Sequence, residues 1–166
     1  MVVGPPRAGT TLLASLLTQL GIDFGLETRS WDVNSGYYEH PDLIRVYGKI
    51  RKYNRLSQLS DQLAAPFQAS AVRSLAKLLK GVQAIKYPPI SAQLPFLMDR
   101  AGYAPVLAIS ARRFEPYAIS RMRMEGVSFN TCKQDYLEIY RTALLLLRIY
   151  KGVVVDFEAL INYQHN

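Results

Sequence analysis

Little in this chain points to a disulfide framework, a metal centre or a membrane span. Its 166 residues include one cysteine, Cys132, which excludes an internal disulfide and suits a reducing compartment. No histidine lies near Cys132 in sequence, so it reads as a small packing residue rather than a nucleophile. The two histidines, His40 and His165, have no partner at metal-ligand spacing and no acidic cluster accompanies them, so no metal is expected. No apolar run approaches the roughly 18 residues of a membrane span. The longest, 143–147, is flanked by Arg141 and Arg148. No charged-then-apolar leader is visible, and a cytoplasmic domain is the expectation. RNA-binding signatures and zinc-finger spacings are missing too. The formal charge of +7 is explained by an anionic small ligand, with or without an anionic acceptor, or by solvated surface, and no nucleic acid is expected.

What is present is enough apolar sequence, 49% of residues, to bury the core of one domain spanning residues 1–166. The most informative stretch opens the chain. Val2 and Val3 lead into Gly4-Pro5-Pro6-Arg7-Ala8-Gly9-Thr10-Thr11, and Leu12, Leu13, Leu16, Leu17 and Leu20 then recur at helical spacing up to Gly21. A strand, a Gly/Pro turn and a helix start make a phosphate cradle. Backbone N–H groups converge on one spot, and the helix dipole adds positive potential there. Gly4 and Gly9 permit close backbone approach, Arg7 supplies a forked cation, and Thr10 and Thr11 supply hydroxyls. The spacing of the two glycines is that of a P-loop, but Thr10 stands where a nucleotide triphosphatase carries Lys.

Downstream, the pattern alternates. Strands are expected at 22–24, 82–86, 105–110 and 153–156, and helices from Pro41, over 67–79, after Pro88-Pro89 to about Ala101, and over 117–124 and 133–150. The near-continuous apolar run at 105–110 suits the centre of a parallel sheet. The fold class is therefore α/β, a three-layer α/β/α arrangement with a mostly parallel sheet. Arg7, Glu27, Lys86 and Arg112 all fall just past expected strands, where such sheets bind ligands.

Arg112 and Ser120 form a second signature. A strand ends in Arg, and a Ser follows eight positions later on the next helix. Together with Pro6-Arg7-Ala8-Gly9-Thr10-Thr11, this resembles the sulfotransferase superfamily, whose loop reads P-[KR]-S-G-T-T. The resemblance implies a P-loop-like sulfotransferase fold and 3′-phosphoadenosine 5′-phosphosulfate as co-substrate. It implies that Pro6, Arg7, Ala8, Gly9, Thr10 and Thr11 hold the 5′-phosphosulfate, and that Arg112 and Ser120 clamp the 3′-phosphate. Arg113 is the neighbouring alternative to Arg112.

Two more segments resemble the tyrosylprotein sulfotransferase branch. Leu26-Glu27-Thr28-Arg29 matches its Glu-Thr-Arg segment, which implies Glu27 as catalytic base. Ile85-Lys86-Tyr87-Pro88 matches its strand-end Lys-x-Pro, which implies that Lys86 contacts the sulfuryl group. Pro88 stands where cytosolic relatives place a catalytic His, so a carboxylate must serve. Glu39, in a Gly-x-x-Glu segment of a kind common in bacterial sulfotransferase-like proteins, is the rival to Glu27, although an acidic residue there also favours a helix start. Trp31, Tyr37 and Tyr38 are placed to line an acceptor pocket. Tyr136, Tyr140 and Tyr150 read as core or rim residues.

The resemblance runs from Val2 to about Ile161, where Asp156-Phe157-Glu158-Ala159-Leu160 is similar to the family's strand-then-YE-x-L segment. Ala8 departs from the loop Ser, and the family's C-terminal Gly-rich segment has no counterpart. The expected activity is sulfuryl transfer to a hydroxyl or amine of a small-molecule, carbohydrate or peptide acceptor. A P-loop small-molecule kinase, with Asp156 as metal ligand, is the first alternative. A non-catalytic nucleotide-binding domain is the second.

Overall fold

The computed structural model describes residues 1–25, 39–90 and 93–163. β1 (Val2–Val3), β2 (Leu107–Ala111) and β3 (Gly152–Asp156) form a parallel sheet in the order β1-β2-β3. Val3 lies opposite Ile109, and Leu107 to Ala111 lie opposite Gly152 to Asp156. On the other side of β1, Val2 forms a parallel bridge with Lys86, and its N–H donates to the Ile85 carbonyl at 3.0 Å. Four chain segments thus run the same way, and all release their next residues at one end of the sheet.

Period-2 alternation sends side chains to opposite faces. Val2 and Ala108 pack with Leu13, Ala14 and Leu17 of α1 (Thr10–Gln19). Val3, Leu107 and Ile109 pack with Ala143 and Leu146 of α6 (Phe129–Leu147). Each fully buried Val, Leu or Ile among them contributes about 1.5–3 kcal/mol. β3 forms one edge of the described sheet, with Val153 and Val154 exposed.

α2 (Pro41–Ser57) and α3 (Asp61–Leu79) pair as an antiparallel hairpin. Pro41 at the first helical position and the His40 side chain, which accepts from the Asp42 N–H at 3.2 Å, start α2. The apolar stripe Leu43, Val46 and Ile50 meets Ala71, Leu75 and Leu78, together with Ile85, Tyr87 and Ile90 beyond the sheet edge. α4 (Leu94–Arg100) closes that cluster, and α5 (Phe114–Glu125) follows β2. α7 (Phe157–Tyr163) follows β3.

Several boundaries differ from expectation. Residues 22–24 and 82–86 form no strand of their own. The Asp23 carbonyl instead accepts from the N–H groups of both Gln83 and Ala84 at 2.9 Å, a turn-like clasp that leaves only the bridge at Lys86. α3 starts at Asp61 rather than Phe67, because buried Ala64 extends its core stripe and Pro66 is accommodated on an exposed position. Pro88-Pro89 opens a single 3₁₀ turn (Pro88–Ile90) before α4, since neither proline offers an N–H.

Candidate functional site

The loop after β1 is held in place by its neighbours. Ser110, fully buried at the end of β2, donates from Oγ to the Ala8 carbonyl at 2.6 Å. Ala8 returns an N–H to the Pro5 carbonyl at 3.2 Å, closing the turn. A Cβ on Gly4 would sit 2.9 Å from Thr10 Cγ2 and 3.1 Å from the Ser110 carbonyl oxygen, so only glycine fits. Arg7 has φ +68°, the single left-handed non-glycine residue among those described, and Gly9 has φ +84°. Alternating left-handed residues of this kind turn successive N–H groups toward one concavity. Gly9 is also the N-cap of α1 and offers no side-chain cap, so the first-turn N–H groups are left for a ligand or water.

Gly9 has a second constraint. An added Cβ would lie 1.9 Å from Cδ2 of Phe157, the first residue of α7. Gly9→Ala is expected to destabilise the fold by about 2 kcal/mol, combining the left-handed penalty with overpacking. Urea denaturation measures it, and Phe157→Ala in the same chain should recover the packing share alone.

Lys86 reaches the same end of the sheet. Its side chain is 2% exposed, and its partners include Thr11 Oγ1 and Glu39 Oε1, each accepting at 3.1 Å. Burial pulls its pKa down, and the Glu39 carboxylate partly opposes this through charge and hydrogen bonding. Glu39 sits two residues before α2 and is 22% exposed on its side chain, so it has access to solvent and to a ligand.

Arg112 follows β2 directly. Its Nη1 donates to the Arg7 carbonyl at 2.7 Å, and its guanidinium carbon lies 4.6 Å from the Phe157 ring centroid. Nε is buried with no hydrogen-bond partner; Glu158 Oε1 at 3.8 Å is an ion-pair neighbour beyond hydrogen-bond reach. A buried guanidinium N–H left unmade is costly, and an anion would complete it. Ser120 on α5 joins through Arg7, whose Nε donates to Ser120 Oγ at 3.4 Å. Arg7, Ser120 and Arg112 therefore meet, with Arg7 between the other two. Arg113 is exposed, and its backbone N–H donates to Glu158 Oε2 at 3.3 Å.

Two tyrosines, read from sequence as core or rim, hold Arg112. Tyr140 Oη accepts from the Arg112 N–H and donates to the Ser110 carbonyl, both at 3.0 Å. Tyr136 Oη donates to the Arg112 carbonyl at 2.7 Å. Burial pushes both phenols above their ordinary range, so they remain protonated donors. Their i, i+4 spacing on α6, the second helix after β2, was the available signal. Ser110, Phe157 and Glu158 were also missed as site residues, because their contacts join distant segments.

Pro6 and Ala8 line the turn itself, with Ala8 fully buried. Glu27, together with Thr28, Arg29, Trp31, Tyr37 and Tyr38, lies outside the described residues. Among the described residues, no group of three His, Cys, Asp or Glu side chains is arranged to hold a metal, and no helix is long and apolar enough to cross a membrane. Asp156 is engaged as a cap: its Oδ1 accepts from the N–H groups of Glu158 and Ala159 at 2.9 and 3.2 Å.

Comparison with family models, curated proteins and solved structures found no match for this chain.

Proposed function

We propose that this domain binds 3′-phosphoadenosine 5′-phosphosulfate and transfers its sulfuryl group to an acceptor hydroxyl or amine, on a three-layer sulfotransferase-like fold. One observation carries the reading: the Arg112 guanidinium, whose buried Nε makes no hydrogen bond, lies beside a loop whose N–H groups and Arg7 already face the same end of the sheet. Two cationic centres follow from the geometry. The 5′-phosphosulfate is assigned to the loop and α1, between Gly9, Thr10, Thr11 and Lys86. The 3′-phosphate is assigned to Arg112 and Ser120, and Arg7, which contacts both, is assigned to the 5′ side with the loop.

The chemistry needs few parts. An acceptor oxygen or nitrogen attacks sulfur, the bond to the bridging phosphate oxygen breaks, and the acceptor proton passes to a carboxylate. Lys86 neutralises charge at the bridging oxygen, and Arg7 and the α1 N–H groups stabilise the departing 5′-phosphate. Glu39, at 3.1 Å from Lys86, is the described carboxylate placed for the proton; Glu27 keeps the role that its sequence match implies. A small-molecule kinase is the second reading. It is weakened by Thr10 after Gly9 and by the engagement of Asp156 as the cap of α7.

The experiment is calorimetric titration with adenosine 3′,5′-bisphosphate, AMP and ATP–Mg²⁺. Tighter binding of the bisphosphate than of AMP supports the proposal, and preference for ATP–Mg²⁺ transfers the protein to the kinase reading. Tyr140→Phe is expected to weaken the bisphosphate by about fivefold, the worth of one hydrogen bond, and to leave AMP unchanged. Equal losses for both nucleotides would reduce Tyr140 to a structural role.

A further inference from the structure

Eight of the chain's 20 Lys and Arg residues lie between residues 41 and 80, against two acids, Asp42 and Asp61. This segment, which is α2, α3 and the C-cap Lys80, therefore has a surplus of six where the whole chain carries +7. Folding sorts these cations. Lys49 turns between the helices, donating to Ser74 Oγ at 2.6 Å and to the Ser70 carbonyl at 3.4 Å. Arg45, Arg51, Lys52, Arg55, Arg73, Lys77 and Lys80 are exposed. Arg45 pairs with Asp42 at 2.8 Å; among the described residues, the other six have no ion pair.

The exposed cations share one side. On α3, Arg73, Lys77 and Lys80 recur at i, i+4 and i+7, opposite buried Ala71, Leu75 and Leu78. On α2, Arg45, Lys52 and Arg55 lie opposite buried Leu43, Val46 and Ile50. The contacts of Lys49 with Ser74 and of Lys52 over the Phe67 ring, at 4.6 Å, set the antiparallel register. That register places Lys77 level with Arg45, and Lys80 beside the start of α2. The result is a basic strip of roughly 20 Å along α2. It begins two residues from Glu39 and its ion pair with Lys86.

The strip offers charge without stacking. None of the rings of α2 and α3 (Tyr47, Tyr53 and Phe67) is exposed, so bases would find no platform there. We infer that the outward face of α2 and α3 binds a linear acidic polysaccharide, whose repeated carboxylates or sulfates meet the cations leading toward Glu39 and Lys86. The binding stands on charge and geometry; that this polymer is the acceptor rests on the sulfuryl-transfer reading.

The test is salt-dependent binding of a heparin oligosaccharide to the wild type and to the triple variant Arg73→Gln/Lys77→Gln/Lys80→Gln. All three positions are exposed, so the fold is kept. The slope of log affinity against log salt is expected to fall by about two, with affinity down about tenfold near physiological salt. Affinity for adenosine 3′,5′-bisphosphate should stay unchanged. A control, Arg123→Gln/Lys133→Gln/Arg141→Gln, removes the same charge from exposed positions on α5 and α6 and should leave the slope as it was. Equal losses in both triples would overturn the inference, leaving only net charge. Tighter binding of single-stranded RNA or of phosphatidylserine vesicles than of the oligosaccharide would overturn it as well. Heparin binding without bisphosphate binding would sink the sulfuryl-transfer reading and leave this surface standing; the reverse result would sink the surface alone.

Discussion

Replacing Glu39 by glutamine is expected to lower sulfuryl transfer by about 10²–10⁴, the usual worth of a general base, while affinity for adenosine 3′,5′-bisphosphate stays within about twofold. Glutamine keeps the shape and removes the proton acceptor. The Lys86 Nζ that Glu39 accepts from at 3.1 Å also loses the carboxylate that favours its charged form. The pH profile follows with a definite sign. Burial already places the Lys86 pKa below the ordinary lysine value of 10.5, so its cation is lost as pH rises through that lowered value. Because an unfolded lysine holds its proton up to 10.5, the burial penalty is full at low pH and is relieved as pH rises between the two values. Removing Glu39 should move the alkaline fall in transfer to lower pH. Glu27→Gln, measured beside it, decides between the two carboxylates: a large loss there and a small one at Glu39 would assign the base to Glu27.

The second large effect belongs to Arg112. Arg112→Ala should weaken adenosine 3′,5′-bisphosphate by about 100-fold, the loss of a forked, charge-assisted contact in a partly buried setting. AMP should weaken far less, through the loop alone, because Arg112 Nη1 also donates to the Arg7 carbonyl. Arg112→Lys separates charge from geometry. It keeps a cation but cannot hold the Arg7 carbonyl and a phosphate together, so it should recover only a minor part of the affinity. Isothermal titration of the three proteins with both nucleotides gives the comparison. A parallel loss for both nucleotides in Arg112→Ala would show that the residue only braces the loop.

Much of the fold was legible because local signals agreed with tertiary demand. The apolar run at 105–110, bounded by Pro105 and the arginine pair, became central β2, flanked by parallel partners. The leucine spacing after Gly9 became α1. Segments whose hydrogen bonds go to remote partners were harder to read. Residues 82–86 have strand composition, but their N–H groups at Gln83 and Ala84 are spent on the Asp23 carbonyl. The start of α3 was obscured by Pro66, which a local rule treats as a boundary and which burial of Ala64 overrides. At the candidate site, the sequence singles out the loop, Lys86, Arg112 and Glu39 but not the contacts among them. No spacing rule places Lys86 on Thr11 across 75 positions, or Tyr140 under the Arg112 N–H.

The most direct measurement is the ³¹P spectrum of adenosine 3′,5′-bisphosphate bound to the wild type and to Arg112→Ala. Both phosphorus resonances are expected to shift on binding to the wild type. In Arg112→Ala, at ligand concentrations that saturate it, the 5′ resonance should shift as before and the 3′ resonance should return toward its free position. A wild-type complex in which the 3′ phosphorus does not shift, or a variant that loses both shifts together, would contradict the assignment of Arg112 to the 3′-phosphate.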